Sequence, residues 1–158
     1  MFEEELIRRL VNWARGSKEG PLKIDIEPVV GCNLKCKFCW TRNEEKVKSC
    51  RYERMLNEER IMEIIKEAAE LGVKEWQIAG GWEPMMNPSL AFKMMLLIKK
   101  LGMYGCITTN GTLFTKRMIR KLVEAEWDRI LFSVEGPNAE IHDYLTQTPG
   151  SFEKVIRN

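Results

Sequence analysis

The sequence predicts an α/β fold: a partial (βα) barrel of about four parallel βα units, preceded by a short N-terminal helix. Three observations predict it. Strand-like and helix-like segments alternate from Leu22 onward, in units of roughly 25 to 30 residues beyond a longer first crossover, as β-α units of a parallel sheet do. Each strand segment carries one polar face, where a strand buried on both sides would be apolar throughout: Asp25 and Glu27, then Gln77, then Thr109, then Ser133 and Glu135. A sheet curved around a wet interior accounts for that pattern. Finally, the unusual motifs GCNLKCKFCW, GGWEP, TTNG and SVEG each follow a strand segment, and the C-terminal strand ends are where catalytic residues of such folds gather.

The elements follow in order. Phe2, Leu6, Ile7, Leu10 and Val11 recur near helical spacing, and RGSKEGP (Arg15 to Pro21) breaks that lead-in helix. LKIDIEPVV (Leu22 to Val30) alternates as a strand, with Leu22, Ile24 and Ile26 on one face. NEERIMEIIKEAAELG reads as a helix capped by Asn57 and stopped at Gly72. KEWQIAGG (Lys74 to Gly81) is the second strand. SLAFKMMLLIKKLG is a helix with Ser89 as the expected cap, and YGCITTNG (Tyr104 to Gly111) is the third strand. TKRMIRKLVEA (Thr115 to Ala125) is a helix, DRILFSVEG (Asp128 to Gly136) a strand, and GSFEKVIRN the first turns of another helix. Domain bounds follow: residues 1–20 as helix and linker, residues 21–158 as the partial barrel.

Composition narrows the functional classes. With 25 Lys and Arg against 23 Asp and Glu in 158 residues, the net charge is +2, without the lopsided basic face of a nucleic-acid reader. The longest apolar run, MMLLI (Met94 to Ile98), is far below membrane-spanning length. Five cysteines, three of them clustered, do not form a secreted disulfide framework. A cytoplasmic location is expected.

Cys32, Cys36 and Cys39 form C-x3-C-x2-C, a compact set of soft donors suited to zinc or an iron-sulfur cluster. A structural zinc site requires a fourth ligand. Cys50 could supply it, since the single histidine, His142, is remote in sequence and Cys106 sits within a strand. A [4Fe-4S] cube on three cysteines instead leaves one iron open to a small molecule, and that reading is favoured over zinc.

The loop, with its aromatic Phe38, resembles the C-x3-C-x-aromatic-C signature of radical S-adenosylmethionine (SAM) enzymes. GGWEP is similar to that family's GGEP segment, TTNG to its next strand end, and SVEGPNAEIHD to its S-x-D-G-x-x-x-x-x-H-D segment. The resemblance runs from about Leu22 to the last residue. It implies a (βα)6-type barrel, a [4Fe-4S] cluster on Cys32, Cys36 and Cys39, and bound SAM, reductively cleaved to a 5′-deoxyadenosyl radical that abstracts hydrogen from a substrate. It further implies SAM contacts from Phe38, Gly80, Gly81, Glu83, Pro84, Thr109, Asn110, Ser133 and Glu135. Gly80 and Gly81 would let backbone approach the methionyl group, and Glu83 would accept from its ammonium. The implied partners are a small-molecule or peptide substrate and an electron donor such as a ferredoxin or flavodoxin. His142 and Asp143 match the H-D pair, and for His142 a structural role near the turn after Pro137 is expected. A non-catalytic iron-sulfur scaffold or electron carrier is the alternative function, with a zinc-binding structural domain behind it.

Two departures stand out. Trp82 interrupts the glycine segment, and Glu135 stands where an aspartate is frequent. Only four strands are counted against the family's six, so the expectation is a truncated part of a longer enzyme, or an open half-barrel that completes itself by self-association.

Overall fold

The computed structural model describes residues 2–42 and 55–158. Among these, ten regular elements follow one another: α1 (Glu3–Ala14), β1 (Lys23–Ile26), α2 (Glu58–Glu70), β2 (Glu75–Ile78), α3 (Pro88–Lys100), β3 (Tyr104–Thr109), α4 (Lys116–Glu124), β4 (Arg129–Phe132), α5 (Ala139–Thr146) and α6 (Ser151–Arg157). Single 3-10 turns cover Trp40–Arg42 and Pro84–Met86. The four strands form one open sheet in the order β1-β2-β3-β4, every pair parallel, as the alternation of elements requires.

Register sorts the side chains. Ile26, Ile78, Ile107 and Ile130 are successive partners across the sheet, and they belong to the core with Trp76, Ile61, Ile65, Met94, Met95 and Ile98. The next row, Asp25, Gln77, Cys106 and Arg129, points to the opposite face. There Gln77 Nε2 donates to Thr108 Oγ1 at 2.8 Å. Strand parity therefore corrects one expectation. Thr109 lies two residues beyond Ile107 and shares its core side, where it is 2% exposed; Thr108 carries the polar face of β3.

Helix ends show which local signals were decisive. Asn57 Oδ1 accepts from Arg60 N at 2.8 Å and starts α2; Gly72, with φ of 78°, follows its last turn. Thr115 caps α4 through Met118 N. For α3 the cap is Asn87, whose Oδ1 accepts from Leu90 N at 3.1 Å, and not Ser89. Pro88 explains the two-residue shift: its fixed φ and missing N–H suit the first helical position, which places the cap on Asn87 just before it. The eight-residue α5 is an element that the sequence pattern does not reveal. It starts at Asn138, whose side chain accepts from Ile141 N at 3.0 Å.

α1 is attached by a charge. Arg9 is 4% exposed. Its guanidinium donates to the carbonyls of Gly20, Pro21 and Gly72 at 2.9, 3.0 and 2.6 Å and to Glu5 at 2.7 Å. The helix's apolar residues Leu6, Ile7, Leu10 and Val11 are left exposed. Among the described residues no helix is long and apolar enough to cross a membrane.

The capping geometry makes a direct prediction. Asn87→Ala should lower unfolding stability by about 1 kcal/mol, whereas Ser89→Ala, at an exposed position with no cap bond, should stay within about 0.5 kcal/mol. Urea denaturation followed by circular dichroism distinguishes the two.

Candidate active site

The C-terminal ends of the four strands open into one cleft of about 270 Å³. Its wall brings together Cys32, Cys36, Phe38 and Cys39 from beyond β1, Gly80, Gly81 and Glu83 from beyond β2, Thr109 at the end of β3 and Asn110 just after it, and Ser133 and Glu135 from beyond β4. Of the sequence-predicted residues only Pro84 stands apart: it is buried and opens the 3-10 turn that follows Glu83. A larger hollow of about 490 Å³ lies between α3 and α4, lined by Phe92, Lys93, Leu96 and Met118 among others. It contains none of these motifs, and the chemistry favours the smaller cleft.

Glu83 ties the site together. It is 3% exposed. One carboxylate oxygen accepts from Thr109 Oγ1 at 2.7 Å and Met85 N at 2.9 Å, the other from Asn110 N at 2.8 Å. Its own N–H donates to Gly31 O at 3.1 Å. A carboxylate offers about four acceptor sites, so three are occupied within the protein and one remains. Thr109 thus meets the site through Glu83.

The glycine segment is shaped by a residue that the motif does not contain. Glu27 Oε1 accepts from the N–H groups of Gly81 and Trp82, the latter at 3.0 Å. A Cβ on Gly80 would strike the Glu27 side chain, and one on Gly81 would strike Trp40 and Thr41. The glycines are therefore already required by the protein's own packing. Trp82 gives its N–H to this turn while the residue forms part of the cleft wall.

The cysteine loop is held from two sides. Toward β3, Asn110 Nδ2 donates to Asn33 Oδ1 at 3.0 Å and lies 3.8 Å from Cys32 Sγ, while Asn33 Nδ2 donates to Thr112 Oγ1 at 2.7 Å. Toward α5, Lys35 N donates to Thr146 O and Lys37 N to Leu145 O, at 3.0 and 2.8 Å. Lys37 Nζ also sits 3.3 Å from the centre of the Tyr144 ring. Two unclosed carbonyls of a helix C-terminus thus become anchors for the loop.

The His142–Asp143 pair maintains that helix end. His142 Nδ1 accepts from Glu135 N at 3.0 Å, fixing the chain where Glu135 enters the cleft wall. The residue is 1% exposed, so this bond is made in the interior of the fold. Asp143 accepts from Phe152 N and Ser151 Oγ, both at 2.9 Å, and from Gly150 N at 2.5 Å, closing the turn into α6. Burial pushes the Asp143 carboxyl up, but these donors outweigh it and hold it below its ordinary value.

The thiols suit a soft, cationic core. Cys32, Cys36 and Cys39 are free. Burial, then the charge of Glu83, pushes the Cys32 thiol up; burial, then Cys32, Cys39 and Glu135, pushes up Cys36. Thiolates that oppose one another in this way are relieved by bound metal. Among the described residues no three His, Cys, Asp or Glu side chains converge on a point that would hold a single metal ion. The three cysteines line one cleft, and a set of soft thiolate donors fits an iron-sulfur group. Cys106 is buried on β3 away from this wall, and Cys50 lies outside the described residues.

Comparison with known proteins agrees with fold and motifs. Residues 26–158 match the Radical SAM superfamily, and the chain belongs to it. The family uses a [4Fe-4S] cluster and SAM. The chain is 32% identical over 136 residues to an AdoMet-dependent heme synthase of Methanosarcina barkeri, covering 86% of this chain and 37% of that protein. It is 33% identical over 143 residues to a GTP 3′,8-cyclase of Aquifex aeolicus, covering 87% and 44%. The chain thus spans less than half the length of these curated relatives. Among solved structures, native anSMEcpe with bound AdoMet superposes with a TM-score of 0.69 at 26% identity, over 87% of this chain and 39% of that one. Streptococcus suis SuiB bound to precursor peptide SuiA gives 0.70 at 19% identity, over 95% and 33%, a likeness of fold.

The depressed Asp143 carboxyl sets a pH dependence. A group whose folded value is lowered stabilises the fold above its unfolded value and loses that contribution as pH falls through the folded one. Asp143→Asn should therefore lower the urea midpoint most near neutral pH. The gap from the parent protein should close as pH drops below the usual Asp value of about 4.

Proposed function

We propose that this chain is a radical SAM enzyme core in which Cys32, Cys36 and Cys39 hold a [4Fe-4S] cluster and the adjoining cleft holds SAM. The observation that carries the reading is the meeting of three free thiols, a glycine turn and two polar residues of the fourth strand end in one cleft. When bound, the cluster supplies one electron to SAM, which in turn supplies the radical that takes hydrogen from a substrate.

The chain's own residues do the positioning. The remaining acceptor site of Glu83 would take the SAM ammonium, with Thr109 and the Asn110 amide holding the carboxylate in place. Asn110 donates toward Cys32 and so moderates the charge on that ligand. Ser133 and Glu135 would reach ribose hydroxyls or the methionyl part, and Phe38, 57% exposed, would pack near the adenine. Gly80 and Gly81, their turn pinned by Glu27, present backbone to the methionyl end. Trp40, packed against Gly81, screens the cysteines from water. The substrate, a small molecule or a peptide, approaches along the polar sheet face that carries Gln77 and Thr108. Relatives named as heme synthases and GTP cyclases, and anSMEcpe solved with a peptide, cover both classes. The electron comes from a carrier such as a ferredoxin or flavodoxin.

Anaerobic reconstitution tests the reading. The chain should take up about four iron and four sulfide, and Cys32→Ala, Cys36→Ala or Cys39→Ala should each abolish stable uptake. Dithionite with SAM should then release 5′-deoxyadenosine. Stoichiometric zinc without iron, or a cluster whose paramagnetic resonance spectrum ignores SAM, overturns the proposal.

A further inference from the structure

α1 is mounted with its charged side inward. Arg9 faces the body and spends its donors on three backbone carbonyls and Glu5, which fixes the rotation of the helix about its axis. The opposite side presents Leu6, Ile7, Leu10 and Val11, exposed by 41%, 61%, 52% and 42%. This is an i, i+1, i+4, i+5 stripe of the kind that normally faces a core. Four large aliphatic side chains contiguous on one helix face mark an association surface.

The flanking charges identify what covers it. The first turn carries Glu3 and Glu4; the end of the helix and the segment after it carry Arg15 and Lys18. All four are exposed, and none makes a side-chain hydrogen bond or ion pair among the described residues. Turned end for end about a point between Arg8 and Arg9, the helix sets Ile7 opposite Leu10 and Leu6 opposite Val11. The same rotation sets Glu3 opposite Ala14 and Glu4 opposite Trp13, each within two residues of Arg15. The surface is thus complementary to itself, in the pattern that a two-fold axis requires, where residue i meets j and j meets i. Antiparallel helices also oppose their dipoles favourably.

We infer that the exposed face of α1 docks a second copy of this chain, α1 against α1 and antiparallel. This inference is independent of the cluster and of SAM. It differs from closure of an open half-barrel, because the sheet edge takes no part. Two short helices bury less than a standard stable interface, so the dimer dissociates on dilution.

Sedimentation equilibrium of the 158-residue chain over a concentration series tests it. The expected result is a monomer–dimer equilibrium. Ile7→Glu with Leu10→Glu should weaken it by about tenfold or more, with helix content by circular dichroism unchanged. Glu3→Lys with Glu4→Lys should weaken it at low salt, as should Arg15→Glu with Lys18→Glu. Combining all four charge changes should restore association, since the exchanged charges again face their opposites. A chain that stays monomeric throughout, a dimer indifferent to the Ile7 and Leu10 changes, or a fourfold variant no better than its halves overturns the inference.

Discussion

A buried carboxylate organises this molecule. Glu83 is 3% exposed, and an unpaired ionised carboxylate in that position would cost several kcal/mol, by rough estimate. The cost is offset because three donors converge on it from two strand ends, and its own N–H reaches back to Gly31. Three segments that are distant in sequence are thereby held at fixed separation: the turn after β2, the end of β3 and the start of the cysteine loop. Removing the carboxylate would orphan Met85 N and Asn110 N at once. The same group that holds the frame therefore sets the direction of the cleft's remaining acceptor.

The loop that carries the cysteines is irregular, and irregular backbone needs outside partners for its N–H groups. It finds them at the C-terminus of α5, where Leu145 and Thr146 have carbonyls with no intrahelical donor. α5 is only eight residues long and would be marginal alone. Its stability comes from its two ends. Asn138 caps the start, while Asp143 and Thr146 join the far end to α6 through Ser151. A segment more than 100 residues from the cysteines in the chain thus fixes their backbone. This gives the His142–Asp143 pair a reason to exist that requires no contact with substrate.

Much of this was legible from residue order. The β-α alternation follows from period-2 segments separated by helical ones, and the cap Asn57 stands where its residue type predicts. All but one of the predicted site residues share the cleft wall, because motifs that follow parallel strands must emerge at the same end of the sheet. What was not legible depends on tertiary position. Polarity alone puts Thr109 on the wet face, yet strand parity is fixed by register, and register puts it on the side of Ile107. Glu27 shows no local sign of holding the glycine turn, since its partners are 54 and 55 residues away. α5 escapes the sequence reading because two helical turns give the apolar period little room to declare itself.

Arg9 and Glu83 obey one rule with opposite outcomes. Each is a charged side chain buried against backbone polar atoms, and each is satisfied by neighbours more than ten residues away. At Glu83 the result is a polar cluster that faces the cleft. At Arg9 the result is a helix turned over. The carbonyls of Gly20, Pro21 and Gly72 lie at the ends of segments that precede β1 and β2, where each leaves an acceptor without a ladder partner. A guanidinium with five donors can satisfy all three together, which no aliphatic side chain can do. The hydrogen-bonding need of those loop ends, rather than the hydrophobicity of α1, therefore decides which side of the helix faces inward. An apolar periodicity read from sequence locates a helix reliably but identifies its buried side only when no buried charge competes for that side.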